Sequence, residues 1–298
     1  MPLTSTLTVI NPHSGDGDDA RTRQAVRRWQ IRHGGRVSVV HFKDLQGWRE
    51  QLVAHDFDAI LAAGGDGTVN LVAQRMLDMQ CDIPLGILPC GSANGLAVDL
   101  GYDSDLTKAL DQLHRATPTP FDVIEFEGHG ISLHLADLGL NAHVVRHFES
   151  VDTRGMGTYV TGALKALGNQ PETTYHIRLD SGRQLEWCGQ MLLFANARMY
   201  GTGATVNPGG DPTDGQFELC LIKKVNLLNM AKLSVRAFWG DIRESNHYKR
   251  VKCRHAEVRV EPPQCFQMDG ELCGSVEHIS AHLRAGALRL LLPERCSL

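Results

Sequence analysis

The eight cysteines of this 298-residue chain include no Cys-x-x-Cys pair. That absence disfavours both a zinc site and a thioredoxin-type redox centre, and leaves free thiols in a reducing compartment as the simplest account. No apolar run is long enough to cross a bilayer. Leu3–Ile10 is too short for a signal-peptide core and passes at once into Asn11-Pro12, so a cytoplasmic protein is expected. Charge of one sign is also lacking: 30 basic and 34 acidic residues leave a net charge of −4, which argues against wholesale nucleic-acid binding. No Walker A sequence, G-x-x-x-x-G-K-[ST], and no internal repeat occurs. What remains is a globular composition, 42% hydrophobic and 21% charged, at a length that suits two domains.

Strands and helices alternate through the first 120 residues. Leu7–Ile10, Val37–Phe42, Phe57–Ala63 and Ile83–Leu88 have the length of buried strands, and helical patterns lie between them at Thr22–His33, Leu45–Ala54 and from Val69 to Leu77, with another at Leu106–Leu113. This rhythm predicts a parallel α/β domain. It changes at Thr117-Pro118-Thr119-Pro120, which places a boundary near residue 120. Beyond it, short alternating runs at Phe121–Phe126, Ile131–Leu135, Tyr175–Leu179, Met191–Ala195, Phe217–Ile222, Glu257–Val260 and Leu288–Leu292 predict an antiparallel β domain over 121–298. Two helical stretches interrupt it, Met156–Leu167 and Leu227–Trp239. The second is apolar with Lys232 and Arg236 among its residues, a pattern that fits a helix resting on a bilayer surface and, more commonly, one packed in a core.

The glycines of Gly64-Gly65-Asp66-Gly67-Thr68-Val69-Asn70 fall between a buried-strand run and a helical pattern. There a ligand can approach the backbone closely, and the free N–H groups of the helix start suit phosphate. Taken alone, this is a capped tight turn. One crossover later, Leu88-Pro89-Cys90-Gly91-Ser92-Ala93-Asn94-Gly95 repeats the strand-to-loop-to-helix arrangement. In an open parallel sheet both loops leave carboxyl ends of strands and can line one crevice, so the pair predicts a nucleotide site. Asp66 sits oddly beside phosphate and is better suited to a cation or a sugar hydroxyl.

Two acidic turns follow in the β domain. Asn207–Gln216 carries Asp211 and Asp214 and suits either Mg²⁺ or a solvated hairpin. Asp269-Gly270-Glu271 is a hairpin signal whose functional reading is a carboxylate placed to accept a proton. By contrast, Gly15-Asp16-Gly17-Asp18-Asp19-Ala20 only imitates a dinucleotide fingerprint. Its three aspartates crowd the place a pyrophosphate would need, and Asn11-Pro12 separates it from the strand.

Asn11-Pro12-x-Ser14-Gly15, Gly64-Gly65-Asp66-Gly67-Thr68-x-Asn70 and Leu88-Pro89-x-Gly91-Ser92-x-Asn94, in this order and spacing, resemble the diacylglycerol kinase/sphingosine kinase family, and within it the soluble bacterial lipid kinases. The resemblance continues through Gly139-Leu140-Asn141-Ala142, Asn196 before Gly201-x-Gly203, Asp214-Gly215 and Asp269-Gly270-Glu271. It implies an N-terminal α/β ATP-binding domain and a C-terminal β-sandwich, with a last strand free to return to the first domain and ATP between the two domains. It also implies transfer of the γ-phosphoryl group to a hydroxyl of a diacylglycerol-like or sphingoid membrane lipid. Residue by residue, Gly64, Gly65, Asp66, Gly67, Thr68, Val69, Asn70, Ser92, Asn94 and Asn11 are expected to hold ATP. Asp214 is expected to bind Mg²⁺ by its side chain, with Asp211 and Gln216 adding main-chain oxygens. Glu271 is the expected proton acceptor, supported by Asp269 and Asp66, and Asp66 is the other candidate for that role.

The same resemblance implies peripheral contact with the inner face of the membrane, no nucleic-acid partner, and an assembly compatible with a homodimer. On this reading Asp66→Ala and Glu271→Ala each abolish transfer at a nearly unchanged thermal midpoint. Two departures stand out. Gly95 occupies a position where bacterial diacylglycerol kinases typically carry Asp, and Val40-His41-Phe42-Lys43 lacks a threonine that related kinases often offer the nucleotide. NAD kinases share Gly-Gly-Asp-Gly-Thr and are the alternative, though they usually carry an apolar residue at the position of Asn70. A catalytically weak lipid- or nucleotide-binding module is the third possibility.

Overall fold

The computed structural model describes residues 3–11, 19–139, 172–200, 204–223 and 248–294. The chain divides into two compact units, Met1–Phe121 with Gly286–Leu298, and Asp122–Ala285. The first unit contains β1 (Ser5–Ile10), α1 (Asp19–His33), β2 (Arg36–His41), α2 (Leu45–Ala54), β3 (Ala59–Gly64), α3 (Asp66–Asp78), β4 (Leu85–Pro89), α4 (Gly95–Asp99) and α5 (Leu106–Arg115).

Its strands are parallel and stand in the order β2-β1-β3-β4. β3 and β4 are buried throughout, and for that reason they read as unbroken apolar runs rather than as alternation. The order reverses between β1 and β3, and in open α/β sheets ligands bind outside the carboxyl ends of the strands at such a reversal. Asn11 follows one of these ends and Gly64 closes the other; the Asn11 N–H donates to the Ala63 carbonyl at 3.1 Å. The chain's C-terminal stretch belongs to this unit as well. Leu290 pairs in parallel with Leu85, and the Tyr102 hydroxyl donates to the Leu291 carbonyl.

The helices start where local chemistry favours it. Asp44 accepts from the Gly47 N–H before α2, and Asp105 accepts from the Thr107 and Lys108 N–H groups before α5. On α1, buried Thr22, Val26 and Trp29 recur at helical spacing. Trp29 meets His114 of α5 edge-on at 5.7 Å, and the His33 ring lies 4.3 Å from that of His114.

The second unit is an antiparallel β-sandwich. It comprises β5 (Thr117–Phe126), which begins in the first unit, then β6 (Gly130–Ser132), β7 (Leu135–Leu138), β8 (Thr173–Leu179), β9 (Gln184–Gly189) and β10 (Met191–Ala195). A short ribbon follows, β11 (Met199–Tyr200) with β12 (Ala204–Thr205), and then β13 (Phe217–Ile222), β14 (Tyr248–Cys253), β15 (His255–Met268) and β16 (Glu271–Leu292). One run of pairing goes β14-β13-β10-β7-β15. The register of β15 shifts between Arg259 and Gln264, around Pro262-Pro263; its first part pairs with β8 and its last part with β7. One long strand thereby serves both layers. Between the layers lie Phe126, Phe194, Phe217, Phe266, Tyr175 and Trp187, with the Phe126 ring edge-on to Phe194 at 5.2 Å and to Phe266 at 5.1 Å.

Three details differ from the sequence-based expectation. Ile131–Leu135 is not one strand but is split at Leu133-His134. Leu288–Leu292 is only the end of a 22-residue strand. β14, with Lys249, Arg250 and Lys252 among its six residues, and β9, with only Leu185 and Trp187 as large apolar residues, do not stand out as strands. The helical stretches Met156–Leu167 and Leu227–Trp239 and the turn Gly15–Asp18 lie outside the described residues. Among the described residues no helix is long and apolar enough to cross a membrane, and no disulfide joins the seven described cysteines to one another.

Burial, reinforced by the neighbouring His33, holds the His114 imidazole below its ordinary value. The unfolded chain therefore takes up a proton first as pH falls through about 6.5, and stability present above that pH is lost below it. The thermal midpoint should fall between about pH 7.5 and about pH 5, and His114→Gln should flatten part of that fall. An equal fall in the variant would assign it to other groups.

Candidate functional site

The two glycine loops of the first unit are joined to each other. Gly65 is the N-cap of α3, and Asp66 is the first residue of that helix. The Asp66 carboxylate does not point at open space: Oδ2 accepts from the Gly95 N–H at 2.8 Å and Oδ1 from the Leu96 N–H at 3.0 Å. It thus caps α4 from another helix; the N-cap residue of α4 itself, Asn94, has a left-handed backbone (φ 53) and no side-chain capping bond. The Asn94 amide instead closes its own loop, accepting from the Gly91 N–H at 2.8 Å and donating to the Gly91 carbonyl at 2.6 Å. A Cβ on Gly91 would overlap the Gly65 Cα, so the two loops meet backbone to backbone. Asn11 adds a third tie, its Nδ2 donating to Thr68 Oγ1 at 2.9 Å. The Thr68 side chain in turn fills the space a side chain at Gly64 would need.

Gly64, Gly65, Asp66, Gly67, Thr68, Val69, Asn70, Asn11, Ser92 and Asn94 therefore belong to one end of one sheet. Thr68 and Val69 are buried, Ser92 is exposed, and Asn70 is half-buried. This end is glycine-lined backbone beside the start of α3, which is the form a phosphate-binding site takes. The space a Cβ would take at Gly64 and Gly91 is filled by Thr68 and Gly65, so these two glycines serve the close packing of the loops.

The acidic turns of the second unit divide into holders and an exposed group. Asp269 and Gly270 have φ of 47 and 87 and form a two-residue hairpin turn, with Met268 paired to Glu271; this is the type I′ geometry that Asp-Gly favours. The Asp269 carboxylate accepts from the Ser132 hydroxyl at 2.7 Å and from the N–H groups of Leu133, His134 and Leu135 at 3.0 to 3.1 Å. Those N–H groups are lost to strand pairing, which is the physical reason β6 and β7 are separate strands. Glu271 follows the turn with its side chain exposed. Its carboxylate has no hydrogen-bond or ion-pair partner among the described residues.

The Asp211–Gln216 turn was expected to hold Mg²⁺, and the fit can be judged oxygen by oxygen. Asp214 Oδ1 accepts from the Gln216 N–H at 2.9 Å, and Oδ2 accepts from Lys252 Nζ at 2.5 Å. Asp211 Oδ1 accepts from the Thr213 N–H and hydroxyl, and the Asp211 carbonyl from the Asp214 N–H. Among the described residues, no three His, Cys, Asp or Glu side chains converge as metal ligands. As arranged, the turn does not fit a divalent ion: the Asp214 oxygens are engaged, and a cation is already present.

Residues that sequence reasoning missed complete the picture. Buried Asp122 accepts from the Gly215 N–H at 2.7 Å, while its own N–H donates to the Pro212 carbonyl. A lone acid within Phe121-Asp122-Val123-Ile124 was a legible signal. Glu218 is buried, and burial pushes its carboxyl up against the opposing pull of the Asn207 amide and Lys252. Asn207 Nδ2 donates to Glu218 Oε2 at 2.8 Å. No local pattern announces these partners.

The structure changes what Asp66→Ala is expected to do. Removing the carboxylate leaves the Gly95 and Leu96 N–H groups without their acceptor in a buried stretch, a loss of about 2 kcal/mol. Denaturant unfolding of the variant should show that loss, and an unchanged midpoint would mean that the loops are held by other contacts.

Comparison with known proteins accounts for both units. Residues 5–126 match the model of the diacylglycerol kinase catalytic domain, and residues 135–292 match that of the YegS C-terminal NAD kinase beta sandwich-like domain. A Bacillus subtilis protein named diacylglycerol kinase is 26% identical over 230 residues, 76% of this chain and 75% of its own. An Alcanivorax borkumensis protein named "Probable lipid kinase YegS-like" is 26% identical over 302 residues, 96% of each chain. Among solved structures, a diacylglycerol kinase from Bacillus anthracis aligns with a TM-score of 0.75 at 17% identity over 99% of both chains. An Archaeoglobus fulgidus NAD kinase in complex with ATP aligns at 0.53 and 16% identity, over 97% of this chain and 94% of the other. The two structural likenesses concern fold alone. The family models span nearly the whole chain, one for each kind of domain, and on that ground the chain belongs to the diacylglycerol kinase family of YegS-type lipid kinases.

Proposed function

We propose that this protein transfers the γ-phosphoryl group of ATP, supplied as its magnesium complex, to a hydroxyl of a membrane lipid of the diacylglycerol or sphingoid type. The observation that carries the proposal is the joined pair of glycine loops at the switch of the parallel sheet, in a chain whose family is one of lipid kinases. Gly64 to Asn70 and Ser92 receive the phosphates, on loops that Gly91 and Gly65 let pack backbone to backbone. Asn11 and Asn94 act by holding these loops in shape. Asp66 serves the same end and is a positioning residue rather than a base.

Phosphoryl transfer asks little covalent help of the protein; positioning and charge cancellation supply most of the rate. Glu271 is the proton acceptor. As the lipid oxygen bonds to the γ-phosphorus and the bond to the ADP oxygen breaks, the hydroxyl proton passes to the Glu271 carboxylate. Exposure and the absence of a described partner leave that carboxylate available, and Asp269 fixes the turn that presents it. Work on a lipid held in a bilayer implies peripheral contact with the cytoplasmic face of the membrane. The amphipathic stretch Leu227–Trp239, the candidate for that contact, lies outside the described residues.

A single assay separates this function from its rivals. Labelled ATP and Mg²⁺ are offered with diacylglycerol, phosphatidylglycerol, sphingosine, ceramide and NAD, and label is expected in one of the lipids. Label in NADP alone would make the protein an NAD kinase, and label in nothing would make it a binding module. In the same assay Glu271→Gln should lose about 100-fold or more in turnover while still binding ATP. Undiminished turnover would remove Glu271 from the role of base.

A further inference from the structure

β14 acts on the Val206–Asp214 segment along one face. Residues at period two on a strand project to the same side, and Tyr248, Arg250 and Lys252 each reach that segment. The Tyr248 hydroxyl donates to the Val206 carbonyl at 2.8 Å. Arg250 Nη1 donates to Asn207 Oδ1 at 3.3 Å and to the Pro208 carbonyl. Lys252 Nζ lies 2.5 Å from Asp214 Oδ2 and 3.4 Å from Glu218 Oε1. Register fixes the last pair, because Glu218 stands directly opposite Lys252 across β13 and β14.

A bridge between two carboxylates is what a hard divalent ion provides when acidic side chains gather in an oxygen-rich turn. Here an ammonium holds that place. Glu218 has a side chain only 2% exposed, and a buried carboxylate needs a partner of opposite charge. Asn207 supplies a hydrogen bond to it but no charge. Asp214 Oδ1 is closed by the Gln216 N–H, so Oδ2, the oxygen a metal would take, is the one Lys252 holds.

We propose that Lys252 is the resident cation of this turn, a tethered ammonium that bridges Asp214 and Glu218 in place of a divalent metal ion. An ammonium carried on a neighbouring strand is present at high effective concentration whatever the solution contains. The turn accordingly folds without metal, and Mg²⁺ takes up the site only when the ammonium is removed. This holds whether or not the protein proves to be a lipid kinase, since it concerns the nucleotide-free turn.

The test is thermal unfolding of the nucleotide-free protein, first in chelator and then in millimolar MgCl₂ at matched ionic strength. The wild-type midpoint should not move. Lys252→Met should melt lower in chelator and recover by about 3 °C in MgCl₂, and adding Asp214→Asn should abolish the recovery. A wild-type rise as large as that of Lys252→Met would overturn the proposal, as would a folded Lys252→Met that ignores MgCl₂. Should Lys252→Met not fold, Mn²⁺ binding to the wild type, followed by electron paramagnetic resonance, decides the matter. No binding that depends on Asp214 is expected; a bound Mn²⁺ ion lost in Asp214→Asn would overturn the proposal.

Discussion

One carboxylate accepting two backbone N–H groups joins the two glycine loops of the first unit. Asp66 opens α3 and caps α4 through Gly95 and Leu96, and Gly65 and Gly91 meet backbone to backbone beside that tie. Hydrogen bonds to a charged group are stronger than neutral ones. The tie also resolves why an acid stands among groups suited to phosphate. Two amide dipoles offset its charge, and its oxygens face α4, so the glycine backbone can meet an anion.

The second unit uses the same device twice. Asp269 gathers three successive backbone N–H groups and a hydroxyl from the β6–β7 connection, and Asp122 takes the Gly215 N–H of the acidic turn. Each of these acids orders a loop at the expense of its own chemical availability. Their engagement sets Glu271 apart: it follows a two-residue hairpin turn, exposed and without a described partner. The proposed role of proton acceptor asks for both a fixed backbone and an unengaged carboxylate, and on that proposal Asp269 meets the first requirement and Glu271 the second.

Local chemistry was legible in the sequence, and long-range partnering was not. Strand-length apolar runs ending in Gly64–Asn70 and Gly91–Asn94 announced the parallel sheet and its two loops, because glycine, strand length and helical spacing are all local signals. Asp-Gly at 269–270 announced a hairpin for the same reason. The engagement of Asp66 was hidden, since Gly95 is 29 residues away and a lone acid in a glycine turn suggests a metal first. The break between β6 and β7 was hidden too, because its cause, Asp269, lies far along the chain. Lys252 depends on the β13–β14 register, which a basic strand such as Tyr248–Cys253 does not advertise. The long strand β16 shows only its buried end, Leu288–Leu292, since its earlier residues are less buried and mix polar groups and glycines among the apolar ones.

The central claim is that the two glycine loops form one phosphate-binding element, held as a unit by Asp66. Hydrogen–deuterium exchange with and without ATP tests it most directly. Segments covering Gly64–Asn70 and Gly91–Leu96 should slow together when ATP is added, with the Gly95 and Leu96 amides already slow in its absence because Asp66 holds them. Protection by ATP of only one of the two loops, or of neither, would contradict the account.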